Sequence, residues 1–155
     1  MEHDVRRVAA EVLATHNYVT VATHGPAGLW IATVWYAERW TDDGLDLLIN
    51  LKPEALTLAN LRAEPEAAFA INGPQPDRFI QGKAQGQELG LLREADDIRR
   101  RLLDKAPTLQ RFVERIPDLV AVRLRVTELF VTDHGKGIGR RTRVPLTPGV
   151  PGDAD

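Results

Sequence analysis

Two turn signals, Gly25-Pro26-Ala27-Gly28 and Thr41-Asp42-Asp43-Gly44, cut residues 17–50 into three short runs rich in β-branched, aromatic and other apolar residues. Such runs read as consecutive strands, and connections this short favour an antiparallel sheet, because a parallel pair needs a long crossover. The middle run, residues 29–40, has a further property. Trp30, Ala32, Val34 and Tyr36 share one face, and Ile31, Thr33, Trp35 and Ala37 share the other. A strand apolar on both faces is expected in a closed barrel or at a subunit interface.

The remaining elements follow from periodicity. Val5, Val8, Ala9, Val12 and Leu13 take the spacing of one helical face, which predicts a helix over residues 4–15. Pro53 is suited to open a helix over 53–63, with Leu56, Leu58 and Leu61 apolar. Ala67–Ile71 is expected as a fourth strand. Residues 77–87 are expected as a fifth, loosened by Gly82 and Gly86. Leu91, Ala95, Ile98 and Leu102 predict a helix, a second short one begins at Pro107, and Val120 onward alternates as a long last strand. Asp133 to Arg141 is Gly-rich without the spacing of a phosphate loop, so a flexible loop is expected. The order α-β-β-β-α-β-β-α-α-β fits an α+β barrel better than a doubly wound parallel sheet.

Composition narrows the chemistry. The chain has 155 residues, 43% hydrophobic and 27% charged, with a net charge of −2. That is ordinary globular composition, and it argues against a general electrostatic nucleic-acid binder. There is no cysteine, which excludes disulfides, thiolate metal sites and cysteine nucleophiles. There is no serine either, so a Ser-His-Asp hydrolase is excluded. His3, His16, His24 and His134 lack the paired spacing of a helical metal site, and no metal site is expected. Met1-Glu2-His3-Asp4 is followed by no long apolar run, so neither a signal peptide nor a membrane span is expected, and the cytoplasm is the default location.

Val19-Thr20-Val21-Ala22-Thr23, the run Gly28 to Tyr36, Asn60-Leu61-Arg62 with Pro65, and Gln81-Gly82-Lys83-Ala84 occur in an order and spacing that is informative as a set. From residue 5 to about 87 the chain resembles the pyridoxamine-phosphate-oxidase-like flavin-binding split barrels. The last strand and its Asp133–Arg141 sequel fit more loosely. The resemblance implies a split β-barrel of about six mostly antiparallel strands, of Greek-key type, with flanking helices. It implies one domain over residues 1–144, and the Pro- and Gly-rich stretch 145–155 is read as a disordered tail. It also implies a homodimer with flavin mononucleotide (FMN) between the subunits and a small-molecule substrate.

In that family the phosphate is held by an Arg on the second strand and a Ser/Thr-Arg-Lys run opening the next helix. Here Thr33, Leu56 and Thr57 stand at those positions, and Glu38 at a later basic one. Hydroxyls donate hydrogen bonds but bring no charge to a dianion. Lys52 is a candidate to compensate, with Arg62, Arg140, Arg141 and Arg143 as further cations. The cofactor-binding set expected from the resemblance is Thr33, Trp35, Lys52, Thr57, Gln81 and Lys83. Trp35 is equally suited to core or dimer interface, and Asn60 and Arg62 are read as structural. Two functions remain open. One is a flavin-dependent oxidoreductase, whose cofactor carries the redox chemistry so that no catalytic side chain is needed. The other is a non-catalytic or degenerate barrel that has lost FMN or binds another ligand, a deazaflavin or haem; for haem, His134 would be the axial ligand.

Overall fold

A computed structural model of the protein describes residues 2–147. The elements run α1 (Glu2–Thr15), β1 (Tyr18–Thr23), β2 (Trp30–Thr41), β3 (Gly44–Leu51), α2 (Leu56–Ala63), β4 (Glu66–Asn72), β5 (Arg78–Leu91), α3 (Asp96–Lys105), α4 (Gln110–Arg115), β6 (Val120–Asp133) and β7 (Ile138–Arg143). Short 3₁₀ turns precede α3, α4 and β7.

Strand order is β3-β2-β1-β4-β5-β6-β7, and β3 also pairs with β6, which closes the first six strands into an antiparallel barrel. Three hairpin-linked strands with the fourth returning beside the first make a Greek key. β7 continues the sheet beyond the closure, on the outer flank of β6.

Every residue of β3 is buried, and its alternation explains how the layers stack. Leu45, Leu47, Ile49 and Leu51 fill the barrel with Val19, Val21, Phe69, Ile80 and Leu124, and α1 plugs this core with Val8, Val12 and Leu13. On the other side Leu48 joins Ala37, Ile98, Leu102, Leu109 and Ala121 in a second core, where α3 and α4 cover the barrel wall. The two-faced β2 has the same origin: Val34 packs inward, whereas Trp35 packs under the outer helices.

A polar clasp ties the layers together. The Tyr36 hydroxyl donates to the Leu13 carbonyl at 2.7 Å. Lys105 Nζ lies 3.7 Å from the Tyr36 ring centroid and donates to the Leu13 carbonyl and to Glu38 at 2.6 Å each. Burial, aided by the Glu38 charge, holds the Tyr36 phenol far above its ordinary value of 10.0. A folded-state pKa raised in this way gives stability that is complete below the unfolded value and is lost as pH climbs past it. Tyr36→Phe should therefore cost about 1 kcal/mol at neutral pH, for the lost hydrogen bond. It should also flatten the decline in stability above pH 10, as read by denaturant melts of both proteins across that range.

Four expectations need correction. α2 begins at Leu56 rather than Pro53, because residues 52–55 form a turn closed by Ala55 N–H to the Lys52 carbonyl at 3.0 Å. β5 continues to Leu91, held by pairing of Glu88 with Val122 and Leu91 with Val120, so the following helix starts later. The β5–β6 register does shift between Gly82 and Gly86, at Lys83/Ala84, and the two glycines also have a packing role. A Cβ at Gly82 would lie 2.4 Å from Phe69 and one at Gly86 2.9 Å from Leu61, so both glycines make room for core side chains. The expected loop at 133–141 is instead a 3₁₀ turn capped by the Asp133 carboxylate, followed by β7. Of the expected tail, Leu146 packs on the core and the Pro145 carbonyl accepts from Arg6 at 3.3 Å; residues 148–155 lie outside the described residues.

Candidate binding cleft

β2 exchanges partners half-way along. It pairs with β1 over Trp30–Trp35 and with β3 over Tyr36–Thr41, so the first half has an edge that β3 does not cover. The chain leaving β3 turns at Lys52–Ala55 and enters α2 opposite that edge, while α4 approaches from the outer layer. Between them lies a cleft of about 400 Å³.

Its walls are largely flat and apolar, formed by Trp30, Trp35, Leu56 and Phe112. The Trp35 ring is braced by Tyr18, with centroids 4.5 Å apart. Polar groups enter at a few points. Thr33 Oγ1 shares a hydrogen bond with Thr20 Oγ1 at 3.1 Å, and Thr57 is buried on the first turn of α2. Asn50, at the end of β3, is only 6% exposed, and its Nδ2 is buried with no hydrogen-bond partner. A buried amide donor left unpaired costs free energy, and native structures rarely retain one without a use. Lys52 is the one cation among the described lining residues; its Nζ lies 5.8 Å from the Phe112 ring centroid. Glu54 is the one anion.

The cleft thus brings together four of the six expected residues: Thr33, Trp35, Lys52 and Thr57. Thr57 is buried rather than a surface hydroxyl. Gln81 and Lys83 stand on β5 and do not line the cleft. They share the outward sheet face with Thr33, in rows that run Thr33–Thr20–Ala70–Gln81 and Ile31–Ala22–Ala68–Lys83. Three strand spacings separate the ends of each row, roughly 14 Å. Lys83 lies 3.6 Å from Glu128.

The alternative cations are engaged elsewhere. Arg62 makes a two-pronged contact to Glu88 at 2.7 and 2.8 Å, and Arg143 bonds Glu128 at 2.8 Å. Arg141 is exposed on β7, and the side chain of Arg140 lies outside the described residues. Asn60 is structural, with its carboxamide bonded to the β1–β2 turn. Sequence reasoning missed Trp30, Asn50, Glu54 and Phe112 as cleft residues. Asn50 and Glu54 flank Lys52 and were legible as neighbours, whereas nothing local to Phe112 connects it with β2.

No family model matches the chain, and no curated protein matches its sequence. Solved structures do match its shape. A conserved hypothetical protein from Mycobacterium tuberculosis aligns over 86% of this chain and 88% of its own, with 19% identity and a TM-score of 0.66. A putative pyridoxamine 5'-phosphate oxidase from Listeria innocua aligns over 81% and 96%, with 11% identity and a TM-score of 0.60. The fold is that of the pyridoxamine-phosphate-oxidase-like split barrels. A haem-binding protein from Mycobacterium smegmatis shares it, with 21% identity and a TM-score of 0.64 over 88% of this chain and 57% of that one.

Within this split barrel the cleft presents aromatic faces of the kind a flat ring needs, without the converging positive charge of a phosphate grip. Aromatic faces and a few placed donors are what a ring needs. A phosphate dianion needs converging charge, and the described lining holds one lysine and one glutamate. Haem fits less well, since no histidine is among the described lining residues; His134 is exposed on the turn before β7. No helix among the described residues is long and apolar enough to cross a membrane.

Proposed function

We propose that this split barrel is a binding protein for a flat, conjugated ligand of flavin type, held in the β2-edge cleft of a homodimer. The observation that carries this reading is the juxtaposition of Trp30, Trp35 and Phe112 around one cleft on the uncovered edge of β2. Thr33 and Thr57 would orient the ligand, and Lys52 would face its polar end. A bound flavin would supply any electron transfer itself. The chain's contribution is placement and exclusion of water.

The second copy is supported by the sheet face beside the cleft. Tyr18 is 50% and Ile31 64% exposed there, next to exposed Ala22 and Ala68. This is a flat apolar surface of the kind that interfaces cover. Gln81 and Lys83 lie on the same face, from which they would address the partner rather than their own cleft. Light scattering should give about twice the 17.2 kDa of one chain. In fluorescence titrations with riboflavin, Trp35→Ala should weaken binding roughly tenfold, the loss expected for about 1–2 kcal/mol of ring stacking. Unchanged affinity in a folded Trp35→Ala protein would move the ligand out of this cleft.

A further inference from the structure

We infer that the cleft selects a ligand whose ring offers a hydrogen-bond acceptor to Asn50 and whose tail lacks a dianionic phosphate, so that riboflavin is bound at least as well as FMN. The inference rests on the cleft being the binding site. It names the chemistry of the occupant from two independent features.

The first is the Asn50 amide. Its neighbours on the same strand face are all accounted for: Asp46 is bonded by two arginines and Leu48 is in the outer core. Of these three residues Asn50 is the one with a buried donor lacking an acceptor, and it lines the cleft. An amide in that state is neutralised at little cost by a carbonyl or ring nitrogen arriving with the ligand. A site left with an unpaired donor also discriminates against ligands that cannot satisfy it.

The second is the placement of Glu54. Anions are drawn to helix N-termini by the unpaired first-turn N–H groups. Here the residue before the α2 N-cap is itself a carboxylate, and the cap, Ala55, has no side-chain acceptor. Glu54 lines the same cleft just ahead of α2, so an anion approaching the first turn there meets a carboxylate in its surroundings, and the first helical residue is Leu56. Lys52 and Glu54 are the charged residues among the described lining, so the cleft's formal charge is zero and offers no net attraction to a dianion.

The test is a pair of fluorescence titrations of the full chain, with riboflavin and with FMN. Riboflavin should bind as tightly as FMN or more tightly. Glu54→Gln should strengthen FMN binding by several-fold to roughly tenfold while leaving riboflavin unchanged, because only the charged tail meets the carboxylate. Asn50→Leu should weaken both flavins about tenfold without lowering the melting temperature, since it removes an unsatisfied group. FMN binding measurably tighter than riboflavin would overturn this inference and leave the cleft as the site. Failure of the folded protein to bind either flavin would overturn the site and the inference together.

Discussion

Asp46→Ala should destabilise the protein by about 3 kcal/mol, within the range for breaking a buried ion pair. Asp46 is 1% exposed on the outer face of β3, between Arg39 of β2 and Arg125 of β6 in the cross-strand rows. Its Oδ2 accepts from Arg39 Nε and Nη2 at 3.3 and 3.0 Å, and Oδ1 accepts from Arg125 Nε at 2.6 Å. Without the carboxylate two guanidinium groups face each other across the strand that closes the barrel. Arg39 keeps Asp97, at 3.2 Å, and both arginines retain some solvent, which holds the cost below the upper end of the range. The melting temperature should fall by about 6–12 °C, given the scaling for a chain of this length. A triple variant with leucine at 39, 46 and 125 should recover most of the loss, because it removes the stranded charges along with their partner. A single-variant loss under about 1 kcal/mol would show that the row is screened and contributes little.

Asn60→Ala should cost about 3 kcal/mol and also weaken ligand binding, from the loss of several buried hydrogen bonds and of packed volume. This fully buried side chain donates to Thr23 Oγ1 at 3.1 Å and to the Gly28 carbonyl at 3.0 Å, and accepts from Ala27 N–H at 2.9 Å. Gly25 completes the fit, since a Cβ there would lie 2.9 Å from Asn60 Oδ1. One carboxamide on α2 thereby fastens the β1–β2 turn, and the turn sets where β2 begins at Trp30. Two readouts separate the effects: a thermal melt for the fold, and riboflavin affinity measured well below the melting range for the cleft. A variant that melts early but binds normally would show that the turn does not govern Trp30.

Much of this molecule was legible residue by residue. Turns at 25–28 and 41–44 announce themselves by their glycines. The two faces of β2 pack into the two cores, with Tyr36 on one side and Ala37 on the other, and β6 alternates over Val122–Thr127. Errors arose where tertiary pairing overrode a local signal. The Gly-rich stretch after Asp133 reads as a loop because glycine carries weak strand preference, yet β6 offers an open flank to pair with. The packing role of Gly82 and Gly86 stays hidden in the sequence because their partners, Phe69 and Leu61, are remote along the chain.

The cleft divides in the same way. Thr33, Trp35, Lys52 and Thr57 were found because they sit on or beside β2 and the start of α2, where short-range order places them. Gln81 and Lys83 were grouped with them, although three strand spacings intervene on a shared face. Asn50 and Phe112 come to the same cleft only through closure of the barrel by β3 and β6 and the docking of α4 over that wall.

The amino-acid order alone therefore specifies the strands and the turns, because periodicity and turn chemistry are local properties. That Thr33, Leu56 and Thr57 stand where charge is expected is what the family resemblance implies. Which donors and which charges share one cavity follows from long-range strand pairing and helix packing. That is why the unpaired Asn50 amide and the opposition of Lys52 and Glu54 become meaningful only once the barrel is closed.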